Sequence, residues 1–368
     1  MEVPLLDLRA QLATIRREVL PAIEAVIDSQ MVCNGPAVRE LEAKLAAYCG
    51  CAAAVGVSSG TDALLMSLMA LGIGPGDEVI VPTFTFFATA GSVWRAGARP
   101  VFVDIQPDTL NIDPAGIAQA ITERTRAVIP VHLFGQPAEM DEIMAAADEH
   151  ELFVIEDAAQ AIGATYKGRK AGSIGTVGCL SFYPTKNLGG FGDGGMVLTQ
   201  DRDLAERLEI HRNHGQGRSY IHKVVGGNFR MDSIVAASLT VKLPHLEAWS
   251  ARRRQNAARY DELLADVDEV VTPTIRPYNV AIFHQYVLRT PRRDELRAFL
   301  ADQGIATGVY YPLSLHEQEC FAALGYQRGD FPVSERAAGE CLALPIYPEL
   351  TDEQISYVAG KIKDFFAS

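Results

Sequence analysis

Short apolar runs alternate with longer stretches of helical periodicity between residues 50 and 200. Each apolar run is continuous rather than interrupted by polar residues, as in strands that are buried on both faces of a sheet. In chain order the five runs are AAAVGV, DEVIVP, RPVFVDI, TRAVIPV and LFVIED. Strand, helix and strand in succession indicate right-handed crossovers and a mainly parallel sheet. We therefore expect an α/β fold whose ligands gather outside the carboxyl ends of the strands.

The pattern changes after residue 215. Residues 231–264 form one long helical stretch, which Pro244 is expected to kink. The elements predicted beyond it are a strand, a helix, a strand and two terminal helices, of which the first three lie at 281–290, 294–304 and 305–311. We therefore predict two domains. Residues 1–250 would form an N-terminal arm and a large domain, and residues 251–368 a smaller α+β domain.

Composition and charge narrow the class of protein. The chain of 368 residues is 48% apolar and carries a formal net charge of −13, which argues against nucleic acid or an anionic membrane as the main partner. No apolar run reaches the roughly 18 residues of a membrane-spanning helix, and the first residues do not resemble a signal peptide. The cysteines lack the spacing of a zinc site and lie at positions 33, 49, 51, 179, 320 and 341. We expect a cytoplasmic protein with reduced thiols and no metal centre.

A first candidate site follows the first predicted strand, in the segment SSGTDAL at 58–64. There a glycine turns the chain, and Thr61 and Asp62 begin an apolar helix. The backbone N–H groups at a helix start, together with the Thr61 hydroxyl, suit a phosphate group. The alternative interpretation is a well-capped helix that binds no ligand.

A second candidate is the segment VIEDAAQ at 154–160, where an apolar run leads directly into Glu156 and Asp157. A carboxylate at the end of a buried strand is costly unless it is paired. Asp157 is suited to pair with a cationic ring nitrogen of a cofactor. The alternative is that this acidic pair only caps a helix.

The third candidate is Lys186, in the segment SFYPTKNLGGFGDGG at 181–195. This lysine follows a short apolar strand and lies in an irregular bend among glycines. A lysine in a dehydrated pocket loses part of its preference for the charged form and can attack a carbonyl as a neutral amine. The alternative is a solvated lysine in a glycine-rich loop.

The three segments together point to one cofactor. Pyridoxal 5'-phosphate requires a lysine for its aldehyde, a carboxylate for its pyridine nitrogen and a phosphate-binding loop. The chain supplies all three at the ends of separate predicted strands, in the order phosphate loop, Asp157 and Lys186.

Five segments occur in a specific order and spacing along nearly the whole chain. They are GTDAL (60–64), GPGDEVIVPTFTFFATA (74–90), IEDAAQ (155–160), SFYPTKNLGGFGDGG (181–195) and GGNFRMD (226–232). In this order they resemble the nucleotide-sugar aminotransferases of the DegT/StrS group, which are fold type I pyridoxal phosphate enzymes. The resemblance implies a large domain with a mainly parallel seven-stranded sheet flanked by helices, and a smaller C-terminal α+β domain.

The resemblance also implies a role for each matching residue. Lys186 would bind the cofactor and move the proton between substrate and cofactor, and Asp157 would keep the pyridine nitrogen protonated. Gln160 would contact the ring hydroxyl, and Phe86 would stack on the ring. The residues implied to hold the phosphate are Gly60, Thr61, Asp62 and Ser181 and, from the second subunit of a homodimer with shared active sites, Asn228.

The loop around Lys186 is similar to that of the branch that aminates 3-keto sugars. This similarity implies transfer of an amino group from L-glutamate to a dTDP-3-keto-6-deoxyhexose or a UDP-linked 3-keto glucuronate, in amino-sugar and polysaccharide biosynthesis. The implied substrate contacts are Tyr183, His214, Tyr220, His222, Arg230, Tyr310, Tyr311 and His316.

Three alternative functions share the fold or the cofactor. A sugar dehydratase of the same fold carries histidine in place of the lysine, and Lys186 therefore argues against it. An aminotransferase that acts on a keto-cyclitol keeps the same site and changes the acceptor. A non-catalytic regulator that only binds the cofactor is the third, and the presence of lysine, acid and phosphate loop together argues against it.

Overall fold

The computed structural model describes residues 1–367, which form the following elements. The α-helices are α1 (Leu8–Ser29), α2 (Pro36–Cys49), α3 (Gly60–Ala70), α4 (Ala88–Arg95), α5 (Pro114–Ala120), α6 (Met140–Glu149), α7 (Arg202–Arg212), α8 (Ser233–Lys242), α9 (Leu246–Leu264), α10 (Arg293–Asp302), α11 (Pro332–Glu340) and α12 (Asp352–Ala367). The β-strands are β1 (Ala53–Val57), β2 (Glu78–Pro82), β3 (Arg99–Val103), β4 (Thr125–Val128), β5 (Phe153–Asp157), β6 (Thr165–Tyr166), β7 (Arg169–Lys170), β8 (Val177–Ser181), β9 (Gly195–Thr199), β10 (Gln216–Arg218), β11 (Ile221–His222), β12 (Asn279–Val280), β13 (Tyr286–Arg289) and β14 (Cys341–Leu344).

The largest sheet has seven strands in the order β1-β9-β8-β5-β4-β2-β3. The pairs from β8 through β5, β4 and β2 to β3 are parallel, whereas β9 runs antiparallel to both of its neighbours, β8 and β1. This arrangement confirms the predicted α/β fold with a mainly parallel seven-stranded sheet. Because β1, β2, β5 and β8 all run in the same direction, the segments that follow them meet at one edge of the sheet.

The strands of this sheet are buried on both faces. Every residue of β2 and of β9 is buried, which explains why both strands are apolar except for one terminal residue each. Helix α3 is also buried around most of its circumference and packs against α4, α7, β8 and β9. A helix that is apolar on all sides belongs in the core. Its packing fixes the N-terminus of α3 close to the carboxyl end of β1.

The C-terminal part of the chain forms a second hydrophobic cluster. This cluster contains side chains of α9, α10, α12, β13 and β14, and it also contains Val3 of the N-terminal arm. Strands β13 and β14 pair in antiparallel orientation. The predicted domain boundary at residue 250 lies within α9, and the division into two domains stays a prediction.

Two strand predictions in this part differ from the structure. The strand predicted at 281–290 is shorter, since only its second half forms β13. The segment 305–311 forms isolated bridges and no strand: Ile305 pairs with Val3, and Gly308 pairs with Ala343. The segment meets two different partners for one residue each, and a continuous ladder therefore does not form.

The structure also contains a strand that the sequence analysis did not predict. Strand β14 lies between α11 and α12, and its sequence CLAL is a short apolar run that periodicity alone does not distinguish from a helix. The interruption predicted at Pro244 is present, because a single 3₁₀ turn that contains this proline separates α8 from α9. No helix within residues 1–367 has the length and apolar character needed to cross a membrane.

Candidate active site

The carboxyl edge of the large sheet brings the predicted cofactor residues together. Asp157 is the last residue of β5, Ser181 is the last residue of β8, and Gly60 begins α3 shortly after β1. Phe86 lies in the segment that follows β2. Lys186 lies in the loop after β8, and its charge interacts with that of Asp157. Residues that are far apart in the sequence therefore share one site.

The Asp157 carboxylate is buried and held by two donors. The Thr89 hydroxyl donates to Oδ2 at 2.8 Å, and the backbone N–H of Ala159 donates to Oδ1 at 3.2 Å. Burial raises the pKa of Asp157, while both hydrogen bonds and the positive charge of Lys186 oppose this shift. A buried carboxylate of this kind favours a cationic partner.

The preceding residue, Glu156, stabilises the structure beneath Asp157. Its carboxylate accepts hydrogen bonds from three backbone N–H groups of the loop 172–175 at 2.6 to 2.8 Å. His132 Nδ1 accepts the backbone N–H of Ala138 at 3.1 Å, so the proton is on Nε2, which donates to Glu156 at 2.8 Å. Burial raises the pKa of Glu156, but His132 and the backbone donors together hold it below its usual value.

Lys186 is held in a tight turn. Its backbone N–H donates to the Tyr183 carbonyl at 2.8 Å, and the neighbouring Asn187 side chain donates to the Ile282 carbonyl at 3.0 Å. Burial lowers the pKa of the Lys186 amine to about 8, although the negative charge of Asp157 opposes this shift. A large fraction of the amine is therefore unprotonated near pH 8, as attack on a carbonyl requires.

The start of α3 and the end of β8 form the predicted phosphate site. A Cβ atom on Gly60 would approach the Ser181 Cβ to 2.7 Å, so only glycine allows these two segments to lie so close. The Asp62 carboxylate accepts hydrogen bonds from the hydroxyls of the two serines that precede the helix, at 2.7 and 3.0 Å. The first N–H groups of α3, at Gly60 and Thr61, have no acceptor within the helix. Free N–H groups and hydroxyls at a helix start suit a phosphate.

Tyr311 contacts both Phe86 and Gln160 close to Asp157. The Phe86 ring is 54% exposed and lies 6.3 Å from the Tyr311 ring. The Gln160 carbonyl oxygen accepts the backbone N–H of Phe134 at 2.8 Å, and its amide nitrogen donates to the Tyr311 hydroxyl at 3.0 Å. An accessible aromatic face next to a buried carboxylate suits a flat heteroaromatic ring.

These groups fit pyridoxal phosphate. The amine has a lowered pKa, the carboxylate is buried and oriented, and glycine permits close approach to the start of α3. They are the three protein groups that this cofactor requires. The predicted roles of the individual residues stay predictions.

The predicted substrate residues His214, Tyr220 and His222 lie in or beside an exposed hairpin. Strands β10 and β11 form this hairpin, and Tyr220 is 91% exposed between them. His222 Nδ1 lies 2.8 Å from the His214 carbonyl oxygen, which it contacts as a donor. This hydrogen bond links two residues of the hairpin region, His214 and His222, and does not connect either of them to Lys186.

Asn228 and Arg230 lie on the segment that returns from the hairpin. Arg230 donates to Asn213 Oδ1 at 2.8 Å, and Asn228 forms a β-bridge with the same residue. The Asn228 side chain is exposed. Its predicted contact with the cofactor of a second subunit stays a prediction.

The remaining predicted substrate residues differ in accessibility. Tyr183 is exposed in the turn that contains Lys186, and Tyr310 packs edge to face on Tyr311 with 6.0 Å between the ring centroids. His316 is only 3% exposed, and its Nε2 lies 3.1 Å from Glu335 Oε1. Tyr183 and Tyr310 therefore lie beside the cofactor residues, whereas the imidazole of His316 already has a protein partner.

The profile of the DegT/DnrJ/EryC1/StrS aminotransferase family matches residues 13–363. The chain belongs to this family. A relative from Geobacillus stearothermophilus, described as a pleiotropic regulatory protein, is 52% identical over 100% of this chain and 99% of its own. The dTDP-3-amino-3,4,6-trideoxy-alpha-D-glucose transaminase of Streptomyces venezuelae is 45% identical over 99% of this chain and 96% of its own.

Solved structures of aminotransferases of this family confirm the fold. The crystal structure of S. venezuelae DesV in complex with a ketimine intermediate is 44% identical, has a TM-score of 0.98, and covers 100% of this chain and 99% of its own. Among more distant relatives, a structure that is 31% identical contains bound PMP and one that is 27% identical is of the PLP form. The resemblance found in the five segments is thereby confirmed.

The site of this aminotransferase family member also contains two histidines that the sequence analysis did not predict. His284 lies 3.5 Å from the Lys186 amine, and His132 holds Glu156. His132 is a polar residue shortly after a buried strand, and the criterion that identified Asp157 applies to it as well. His284 lies in a run of apolar and aromatic residues that indicated only a strand, so no local signal separated it from the core.

Proposed function

We propose that this chain is a pyridoxal phosphate-dependent aminotransferase that transfers an amino group to a nucleotide-linked 3-keto sugar. The observation that carries the proposal is the position of Lys186, with its pKa lowered to about 8, beside the buried carboxylate of Asp157. An amine that loses its proton readily and a fixed anion are the two side chains that the chemistry of this cofactor needs. Membership of an aminotransferase family supports the same conclusion.

Lys186 moves the proton in both half-reactions. The bound cofactor supplies an electron sink for the carbon that loses its proton and carries the amino group from donor to acceptor. In each half-reaction Lys186 Nζ would act first as base and then as acid: it would move a proton from the α-carbon of the amino donor to the cofactor in the first, and from the cofactor to the sugar carbon in the second. An amine whose pKa lies near the working pH can accept a proton as a base and then donate it as an acid, because both protonation states are well populated.

Asp157 and the surrounding residues hold the cofactor in place. The Asp157 carboxylate, oriented by Thr89 and Ala159, holds a proton on the ring nitrogen. Phe86 and Gln160 fix the face and the hydroxyl edge of the ring. The start of α3 and Ser181 bind the phosphate.

The substrates and the assembly are part of the proposal. L-Glutamate is the amino donor, and the acceptor is a dTDP-3-keto-6-deoxyhexose or a UDP-linked 3-keto glucuronate. The similarity to a dTDP-3-amino sugar transaminase supports this class of acceptor. We propose a cytoplasmic homodimer in which one subunit completes the site of the other. A second subunit can reach the exposed hairpin and the exposed Asn228, which supports the shared site.

A regulator that binds the cofactor without catalysis is the second candidate. The name of the relative from Geobacillus stearothermophilus favours it. Membership of an aminotransferase family, with Lys186, Asp157 and the phosphate loop all present, argues against it.

Spectroscopy of the purified holoenzyme separates the two candidates. L-Glutamate should bleach the yellow aldehyde form to the amine form, and a 3-keto nucleotide sugar made in situ should restore the yellow colour and appear as an amino sugar by mass spectrometry. Comparing dTDP-linked and UDP-linked acceptors identifies the nucleotide. A yellow protein that responds to no amino donor would establish the regulator instead.

A further inference from the structure

The Lys186 amine has one side-chain hydrogen-bond partner among the described residues. This partner is His284, whose Nε2 lies 3.5 Å from Lys186 Nζ. His284 lies just before β13 and is 9% exposed. We propose that His284 is a positioning residue that holds the free amine of Lys186 in place for proton transfer. The inference rests on the role of Lys186 in the proposed function.

The imidazole of His284 is neutral. Burial lowers its pKa well below the ordinary value, and the positive charges of Lys186 and Arg253, the charged groups that act on it, lower it further. Arg253 reaches this segment from α9 and donates to the carbonyls of Phe283 and His284 at 3.1 and 3.4 Å. The Nδ1 atom of His284 is buried without a hydrogen-bond partner among the described residues. Nε2 is therefore the one ring nitrogen with a polar partner.

A neutral imidazole suits a lysine that alternates between base and acid. Through its Nε2 lone pair it accepts a hydrogen bond from the ammonium, and in the other tautomer its Nε2–H donates to the neutral amine. A carboxylate in the same place would stabilise only the ammonium and would raise the pKa of Lys186. The carboxylate whose charge does act on Lys186 belongs to Asp157, which the cofactor occupies in the proposed function. His284 thus orients the amine without favouring either of its protonation states.

The segment that carries His284 is fixed relative to the lysine loop. A Cβ atom on Gly135 would approach the backbone nitrogen of His284 to 2.9 Å, and the Gly135 carbonyl accepts the backbone N–H of Ile282 at 3.0 Å. The Asn187 side chain, next to the lysine, donates to the Ile282 carbonyl at 3.0 Å. Loop and segment are therefore bonded to each other beside the amine, and their relative position is defined.

Lys242 is an internal control for the effect of burial alone. It is 4% exposed on α8, and burial lowers its pKa to about 8 as well. Its amine donates to the Gly189 carbonyl at 2.7 Å and lies 4.7 Å from the centre of the Phe191 ring. It is not hydrogen-bonded to His284. A change at position 284 should therefore alter Lys186 and leave Lys242 unaffected.

Four variants separate a hydrogen bond at Nε2 from simple packing. In His284→Gln the side-chain amide reaches roughly the place of Nε2, and it accepts or donates as the imidazole does. In His284→Asn the amide reaches only the place of Nδ1. His284→Leu keeps the bulk without a polar atom, and His284→Glu adds a negative charge.

The first measurement is the pKa of each lysine by competitive acetylation and peptide mass spectrometry. The full chain is loaded with pyridoxamine phosphate, which leaves the Lys186 amine free. We expect the pKa of Lys186 to stay near its original value in His284→Gln and to rise by about one unit or more in His284→Glu. Lys242 should not change in any variant. An unchanged Lys186 pKa in His284→Glu would contradict the proposed contact.

The second measurement is the single-turnover rate of the half-reaction with L-glutamate. We expect a fall of about tenfold or more in His284→Asn and His284→Leu, and a rate within about threefold of the original in His284→Gln. Equal rates in the Gln and Asn variants, with equal unfolding temperatures, would overturn the positioning role. This pair decides the question even if His284→Leu does not fold.

The acetylation result does not depend on the sugar or the donor. If no keto sugar is aminated but Lys186 titrates as described, the proposed function fails and the contact with His284 stands. If sugars are aminated normally by His284→Asn and His284→Leu, the proposed function stands and the inference about His284 is wrong.

Discussion

The carboxyl edge of the sheet and the hairpin of residues 216–222 are both predicted to carry site residues, but they differ in what holds them. At the edge, Asp157 and Glu156 are buried, and the chain supplies two donors to Asp157 and four to Glu156. In the hairpin, Tyr220 is 91% exposed, and one hydrogen bond ties His222 to its base. Hydrogen bonds within the chain therefore fix both carboxylates at the edge, whereas the hairpin is largely exposed.

This difference indicates separate roles for the two regions, catalysis for the edge and recognition for the hairpin. Chemistry needs groups whose protonation and position are set in advance, and burial with hydrogen bonds sets both at Lys186 and Asp157. Recognition of a substrate or a second subunit needs accessible groups, and we propose this role for the exposed hairpin. Variants at the edge should therefore affect catalysis or folding, and variants in the hairpin should affect association.

The largest expected effect is that of Lys186→Ala. Turnover should fall by about 10³-fold or more, because the nucleophile and the proton carrier are removed together. Burial lowers the pKa of Lys186 in the folded state, so the original chain should gain stability relative to the variant as pH rises from about 8 towards the unfolded value. Steady-state kinetics and thermal unfolding at several pH values measure both effects. A variant that kept most of the rate would exclude Lys186 as the catalytic base.

Substitutions of the adjacent carboxylates Asp157 and Glu156 should reduce different properties, turnover in the first case and stability in the second. Asp157→Asn should reduce turnover by about 10²-fold or more and lower the pKa of Lys186 further, because the negative charge that opposes the shift is lost. Glu156→Gln should instead reduce the free energy of unfolding by about 2 to 4 kcal/mol, since it leaves buried N–H donors without an acceptor. Urea unfolding and single-turnover kinetics of both variants test the distinction. The reverse assignment of the two effects would contradict it.

Variants in the hairpin and in the segment that returns from it should weaken association and leave the fold intact. Asn228→Ala should weaken cofactor binding by roughly tenfold through the loss of one hydrogen bond across the dimer, and Tyr220→Ala should change the free energy of unfolding by less than about 0.5 kcal/mol. Sedimentation equilibrium and cofactor dialysis over a range of protein concentrations measure these effects. Cofactor affinity that stays the same after dilution to monomers would refute the shared site.

The smallest effect expected at the edge of the sheet concerns Thr89, which donates to Asp157 Oδ2 at 2.8 Å. Thr89→Val should lower the free energy of unfolding by about 1 kcal/mol and raise the pKa of Asp157 further, because one donor to the carboxylate is lost. Thr89→Ser keeps the hydroxyl and is the matched control. If Ser and Val behaved alike in urea unfolding, the hydrogen bond would not be the cause.

The residues at strand ends could be predicted from the sequence. Asp157, Ser181 and Lys186 each follow a continuous apolar run, and a parallel sheet places such positions at one edge. The five segments then resemble one family, and its profile match confirms that assignment. Local signals suffice wherever a strand end alone determines the position of a side chain.

Contacts between distant segments could not be predicted in this way. His284 reaches Lys186 because the loop before β13 packs on Gly135 and Arg253. The local pattern of apolar and polar residues does not indicate any of these contacts. The segment 305–311 has strand composition, yet it meets two partners for a single residue each. In both cases tertiary packing determines the local structure, and it could not be predicted from the local sequence.

The most direct test of the central claim is borohydride reduction of the holoenzyme, followed by digestion and peptide mass spectrometry. The amine of Lys186, with its pKa lowered to about 8 beside Asp157, is the predicted point of attachment. We expect the reduced cofactor on a single peptide that contains Lys186. A cofactor attached to Lys242 or to any other lysine, or no covalent attachment at all, would contradict the account.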